Sequence, residues 1–278
     1  MVRLRVARSL EDGRRLLLDG RSLDRLSAPP SLAGRILTTF GEALTPFQVV
    51  ERIVAGVRDE GDAALERYSL MIDGVFQRPL EVGPGEMEAA RERVPADLRS
   101  AMKVAAERIL DFHRGSMRRS WIDTSPAGVF GQLVRPLDRV GVYVPGGSAA
   151  YPSSLLMSVL PARAAGVREV VVATPPSRDG TVPPAVLVAA ELAGVSAVYR
   201  MGGAQAIAAM AYGTESVPRV DKIVGPGNLF VALAKKMVSG TVGIDAITGP
   251  TETVVVADGS AELEHFAADL LAQAELDA

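Results

Sequence analysis

No cysteine occurs in the 278 residues, so disulfides, zinc thiolate centres and a cysteine nucleophile are all excluded. Histidine is nearly as scarce, with two in the chain, His113 and His265. His113 closes a long helical stretch, where a histidine commonly serves as a partner for the helix dipole. His265 sits early in the last helix beside Phe266, on what reads as a surface or partly packed face rather than a metal site. An excess of one charge is also missing. The net charge is -3 and the pI about 5.6, so nothing general draws the chain to nucleic acid or anionic membrane, and the Arg118-Arg119 pair reads as a solvated face. Long apolar runs are absent too. The amino terminus MVRLRVARSLEDGRR alternates charged and apolar residues, unlike a signal peptide. The longest uncharged stretch, Val140 to Ala162, contains Pro145, Gly146, Gly147, Pro152 and Pro161, so it reads as strand, loop and helix rather than a membrane span. With no fixed-period repeat either, these absences point to a soluble, cytoplasmic globular protein.

The composition that remains, 48% hydrophobic and 23% charged, suits one large domain or two smaller ones. Residues 1 to 40, with Pro29 and Pro30 and scattered leucines, support only a loosely packed strand or helix. From Thr45 the signal improves. Thr45 can cap, Pro46 suits a first helical position, and Val49, Val50, Ile53, Val54 and Val57 form one apolar stripe that ends near Gly61. A second helix carries Ala63, Leu65 and Tyr68, and Gly83, Pro84 and Gly85 turn the chain into a helical stretch over 86–114, broken at Pro95. Beyond this lead-in, strands at 140–144, 168–174, 196–200 and 220–224 alternate with helices near 152–165, 183–193, 203–212 and 228–239. Such alternation predicts an α/β fold: a helical N-terminal region over 1–128, then a Rossmann-like parallel sheet with helices on both faces over 129–247. Residues 248–278 hold one further apolar run, ETVVVAD, and a helix with Leu263, Phe266, Ala267, Leu270 and Leu271 on one face. They read as the start of a second, truncated α/β domain.

The loops that end these strands are where chemistry is expected. PGG at 145–147, GGAQA from 202, GPGN at 225–228 and GPTE from 249 are built of small residues. Where such a loop runs from a parallel strand into a helix, backbone N–H groups open to an anion at the helix N-terminus. Neither central loop fits the dinucleotide fingerprint, since Phe230 stands where a third glycine belongs and GGAQAI offers no G-x-G. The glycines alone could equally serve tight turns. The polar residues add weight. Gln205 lies in the first turn of a helix otherwise made of small apolar residues, and Asn228 takes an N-cap position, so both face one crevice above the sheet. Capping accounts for Asn228 without a ligand, whereas nothing local accounts for Gln205. Tyr143, at the end of its strand, could stack on a flat ligand.

The segments PLDRVGVYVPGGSAAYPSSLLMSVLPARAAGV (136–167), GGAQAIAAMAYGTESVPRVDKIVGPGN (202–228) and VGIDAITGPTETVVVAD (242–258) closely resemble the histidinol dehydrogenase family, and GDAALERYSLMIDGV (61–75) resembles its amino-terminal helical region. The resemblance runs from about residue 45 to the end, in the family's order. It implies an enzyme of histidine biosynthesis that oxidises L-histidinol to L-histidine through the aldehyde, with two NAD molecules in succession, one zinc ion per site and a homodimeric assembly. It implies NAD contacts at Tyr143, Gln205 and Asn228. Thr251 stands where the family has a substrate-contacting serine, and Gln273 matches a glutamine that binds zinc and contacts substrate. The histidine expected three residues later is Leu276, which has no donor atom. The family's catalytic Glu-His pair is expected beyond Ala278, so no catalytic residue is assigned within the chain and residues 1–278 are expected to be inactive alone. Two alternatives stay open at this point: a non-catalytic NAD-binding or dimerising module, and a family relative acting on a different alcohol.

Overall fold

The computed structural model of the chain describes residues 7–18, 30–146, 150–247 and 254–276, apart from the side chains of residues 15–18 and 273–276. Helices α1 (Leu10–Leu18) and α2 (Pro30–Phe40) occupy the first forty residues, where composition allowed only an unspecified element. Helix α3 (Pro46–Glu60) starts as its sequence requires. Thr45 caps it by accepting the Gln48 N–H at 3.2 Å, and the Gln48 side chain accepts the Thr45 N–H in return at 2.9 Å, a reciprocal box that satisfies two orphan donors. Thr45→Ala is therefore expected to lower stability by about 1 kcal/mol in urea unfolding at neutral pH. Helices α4 (Asp62–Asp73), α5 (Pro84–Arg93) and α6 (Ala96–Gly115) follow, with the break between the last two at Pro95.

Strands β1 (Trp121–Ser125) and β2 (Gly128–Gln132) form an antiparallel hairpin, solvent-exposed throughout, with Trp121 edge-on to Phe130 at 6.0 Å. The alternation reading had no strands here, because a five-residue strand closed by Pro126-Ala127 lacks the Asn-Gly type of turn that marks a hairpin in sequence. The regular part of the fold then runs through β3 (Arg139–Tyr143), α7 (Pro152–Ala164), β4 (Glu169–Thr174), α8 (Pro184–Leu192), β5 (Ala197–Arg200), α9 (Gly203–Tyr212), β6 (Lys222–Val224), α10 (Leu229–Val238) and β7 (Gly243–Ile244). Each expected strand and helix of this region is present, with boundaries shifted by a few residues.

The five strands β3 to β7 pair in the order β5-β4-β3-β6-β7, all parallel. Because side chains alternate along a strand, each central strand serves two cores. Val140, Val142, Val170 and Val172 point into one with α7 and α8, backed by α5 and α6. Tyr143, Val171, Ala173 and Ile223 point into the other with α9 and α10, backed by α3 and α4. The chain winds outward from β3 through β4 to β5, then returns to place β6 on the other side of β3. The strand order therefore reverses between β3 and β6, and the crevice at their carboxyl ends is where open α/β sheets take ligands.

Helix α11 (Leu263–Leu276) ends the described chain. The apolar face of this helix lies open, with Leu263 82%, Leu270 52% and Leu271 70% exposed. The run before it forms no strand over 254–258, and Val256 is 90% exposed. An apolar run becomes a buried strand only when a neighbour pairs its backbone and a layer covers it; no strand among the described residues pairs with this one. Among the described residues no helix is long and apolar enough to cross a membrane.

Candidate functional site

A cavity of about 570 Å³ opens at the carboxyl end of the sheet and is lined by Tyr143, Gln205 and Asn228 together. Tyr143 ends β3 and is 4% exposed. Its phenol oxygen accepts the Gly203 N–H at 3.1 Å, which leaves the phenol proton free to be donated. Burial pushes this phenol up to about 12 against the lowering effect of the Gly203 N–H, with the nearby Asp73 charge adding to the rise, so Tyr143 stays neutral across the physiological range. Gly203 has φ +63 and a Cβ there would stand 2.7 Å from Gln205 Oε1. Glycine is thus required for the turn and for the close approach of the amide.

Gln205 is completely buried. Its Nε2 donates to Asp73 Oδ2 at 3.0 Å, while Oε1 has no hydrogen-bond partner among the described residues. An orphaned buried acceptor costs roughly 1–3 kcal/mol, and in a wall of a cavity that cost marks a place for a donor from outside the chain. Asp73, the last residue of α4, also lines the cavity. Burial pushes its carboxyl up to about 6, partly offset by the hydrogen bond from Gln205. Asn228 is the N-cap of α10, and its Oδ1 accepts both the Phe230 and Val231 N–H groups at 3.1 Å. The cap uses only the amide oxygen. The NH2 group makes no hydrogen bond within the described residues, and Asn228 lines the space shared with Tyr143 and Gln205.

A partly buried ion pair locks these loops to one another. Gly225, with φ +111, lies so close to the end of β3 that a Cβ would meet the Tyr143 carbonyl oxygen at 2.1 Å. Its N–H donates to Asp245 Oδ2 at 2.8 Å and its carbonyl accepts from Lys235 Nζ at 3.0 Å, while Lys235 and Asp245 pair directly. Lys235 is 2% exposed. Burial alone would raise the Asp245 pKa, but hydrogen bonds from Lys235, Ala246 N–H and Gly225 N–H, with the Lys235 charge, outweigh it and hold the carboxyl below its usual range. The position of Asn228, three residues past Gly225, is thereby fixed relative to Tyr143.

Sequence reasoning missed Asp73, Lys235 and Asp245. One signal existed for the lysine: it stands one turn beyond Val231 and one turn before Val238, both buried, so it falls on the apolar face of α10 where a solvated lysine does not belong. Arg35 and Arg178, also unforeseen, line the same cavity from α2 and from the loop after β4 and bring positive charge to it.

The histidinol dehydrogenase family model matches residues 42–278. The chain belongs to the histidinol dehydrogenase family. It is 53% identical over 255 residues to the histidinol dehydrogenase of Deinococcus radiodurans, a match covering 92% of this chain and 58% of that protein. With the Thermus thermophilus enzyme it shares 56% identity over 232 residues, 83% of this chain and 55% of the other. The crystal structure of histidinol dehydrogenase from Elizabethkingia anophelis superposes with a TM-score of 0.77 at 35% sequence identity, covering 90% of this chain and 58% of that one. The chain thus spans a little over half the length of the histidinol dehydrogenases it matches.

Of the positions that the family resemblance assigns to substrate and zinc, Thr251 lies outside the described residues. Gln273 lies on α11, with its side chain outside them, and so does that of Leu276. Among the described residues no group of three or more His, Asp or Glu side chains could hold a metal ion. In the donor set expected for zinc, Leu276 places a hydrocarbon where a histidine is expected and offers no ligand atom there.

Proposed function

We propose that this chain supplies the nucleotide-binding part of a cytoplasmic, homodimeric oxidoreductase that converts L-histidinol through the aldehyde to L-histidine, the closing reaction of histidine biosynthesis, with NAD as oxidant. The observation that carries this reading is the convergence of Tyr143, Gln205 and Asn228 on one cavity at the reversal point of a parallel sheet. Membership of the histidinol dehydrogenase family supports it.

The residues present fit a dinucleotide. Gln205 Oε1 is a buried acceptor without a partner, Asn228 offers an NH2 donor from a helix N-terminus, Tyr143 offers a phenol proton, and Arg35 and Arg178 supply countercharge for phosphate. Gly203 and Gly225 stand where any side chain would collide with the wall of the cradle. A bound NAD would supply hydride acceptance, used twice to carry an alcohol to an acid. The part of this chain is to bind and orient: Asn228 and Gln205 hold opposite polarities toward the ligand, and Tyr143 stays protonated as a donor at every working pH. No step is assigned to a metal on this donor set, and the proton acceptor of the oxidation is not among the residues that line the cavity.

Titration calorimetry with NAD tests the reading. Asn228→Asp keeps the cap oxygen and removes the NH2 donor, while Gln205→Ala removes the acceptor. Each is expected to raise the Kd for NAD about tenfold, the cost of one well-placed hydrogen bond in a desolvated site. Affinities equal to wild type in both variants would take both residues out of the site.

A further inference from the structure

Why Gln205 leaves its oxygen, rather than its nitrogen, without a partner has a definite cause in the fold. Gln205 and Asp73 are 132 residues apart in sequence, joined by the packing of α9 against α4. A carboxylate offers acceptors only, so the amide must turn an N–H toward Asp73, and its oxygen is left on the Gly203 side. The reverse orientation would set the amide oxygen against the carboxylate oxygens. Among the described residues Gln205 is the side chain that donates to the Asp73 carboxylate; neither Tyr143, Arg35 nor Arg178 hydrogen-bonds to it.

We propose that Asp73 is a positioning residue whose carboxylate fixes the Gln205 amide with its oxygen toward the ligand, so that the site selects a dinucleotide through an NH2 group. This deepens the NAD reading and rests on it. Two groups of the dinucleotide carry that chemistry, the carboxamide of the nicotinamide ring and the exocyclic amine of adenine. Either would donate one hydrogen bond to Gln205 Oε1 and relieve the orphaned acceptor.

Two analogues that keep the charge of NAD separate the sources. In 3-acetylpyridine adenine dinucleotide a methyl group replaces the carboxamide NH2, and in nicotinamide hypoxanthine dinucleotide a carbonyl replaces the adenine amine. Wild type is expected to bind one of these at least about tenfold more weakly than NAD, since a desolvated acceptor that loses its donor discriminates strongly. Asp73→Asn, the isosteric variant, offers a donor as well as an acceptor and leaves the amide free to adopt both orientations. Discrimination against the weak analogue is expected to fall several-fold while the fold, read by circular dichroism, is unchanged. Equal binding of NAD and both analogues by wild type, or undiminished discrimination in Asp73→Asn, would overturn the proposal.

A measurement without ligand keeps this claim separate from the cofactor reading. In the ligand-free chain the Gln205 side-chain amide protons are expected to exchange slowly with solvent by NMR, and to lose that protection in Asp73→Leu. If NAD does not bind wild type, the nucleotide reading fails; if the protons exchange equally fast in both chains, the positioning role fails.

Discussion

Replacing Asp245 by Ala is expected to cost the folded chain about 2–4 kcal/mol at pH 7, measured by urea unfolding. The figure sits at the low end of what breaking a buried pair costs, because the Asp245 side chain is 35% exposed and water screens part of the interaction. The loss comes from what is stranded. The Lys235 ammonium, 2% exposed, would keep the Gly225 carbonyl as its hydrogen-bond partner but lose its countercharge, and the Gly225 N–H would lose its acceptor. Lys235→Met should be milder, since its hydrocarbon chain suits the apolar face of α10 and the carboxylate left behind keeps the Gly225 and Ala246 N–H groups. The double variant is expected to recover part of the Asp245→Ala loss, as neighbouring sites that share one interaction do not add. The pH dependence carries a sign. The folded-state pKa of Asp245 is depressed, so its stabilisation is complete above the unfolded value near 4 and is lost as pH falls through the folded value. Wild type and Asp245→Ala should therefore converge in stability in strong acid. A single variant Lys235→Met as damaging as Asp245→Ala, with no convergence in acid, would show that the pair does not act as described. NAD affinity should fall along with stability, because Gly225 carries the turn that presents Asn228.

Much of this arrangement was legible before any coordinates. Periodicity located every strand and helix from Arg139 to Val238, because each apolar run there is bounded by glycine or proline and alternates in type with its neighbours. The small-residue loops then placed Tyr143, Gln205 and Asn228 at one end of a parallel sheet. Local pattern did not extend to partners distant in the chain. Asp73 ends a helix and looks like any surface carboxylate until α9 packs against it, and Asp245 meets Lys235 only because β7 pairs beside β6. The exposed face of α11 failed for a related reason. Leu263, Leu270 and Leu271 have helical spacing, but spacing says which residues share a face and not what covers it. The hairpin β1-β2 escaped notice because its apolar residues, exposed on both strands, carry no core-facing alternation.

Asp73→Asn is expected to make the chain more stable at pH 8, by as much as about 3 kcal/mol, and to make almost no difference near pH 4. The folded-state pKa is raised to about 6 from an ordinary 3.8, a gap of about two units at about 1.4 kcal/mol each. With the folded value above the unfolded one, the folded chain holds the proton more tightly; the stabilisation from that proton is complete below pH 4 and is lost as pH rises through about 6. Asparagine does not titrate, so its curve of melting temperature against pH should stay flat over that window while the wild-type curve falls. Tyr143, which shares the cavity, is held neutral by burial and contributes no competing titration between pH 4 and 8. Melting curves that run parallel for the two proteins would remove Asp73 as the group responsible. A carboxylate that weakens the fold at neutral pH, where an amide of the same shape would not, calls for a compensating use. The charge itself provides one, because only the ionised form offers acceptors alone and so leaves the Gln205 amide a single orientation. The stability lost to ionisation and the selectivity expected for an NH2-bearing ligand are then two consequences of one deprotonated group, and Asp73→Asn should exchange one for the other.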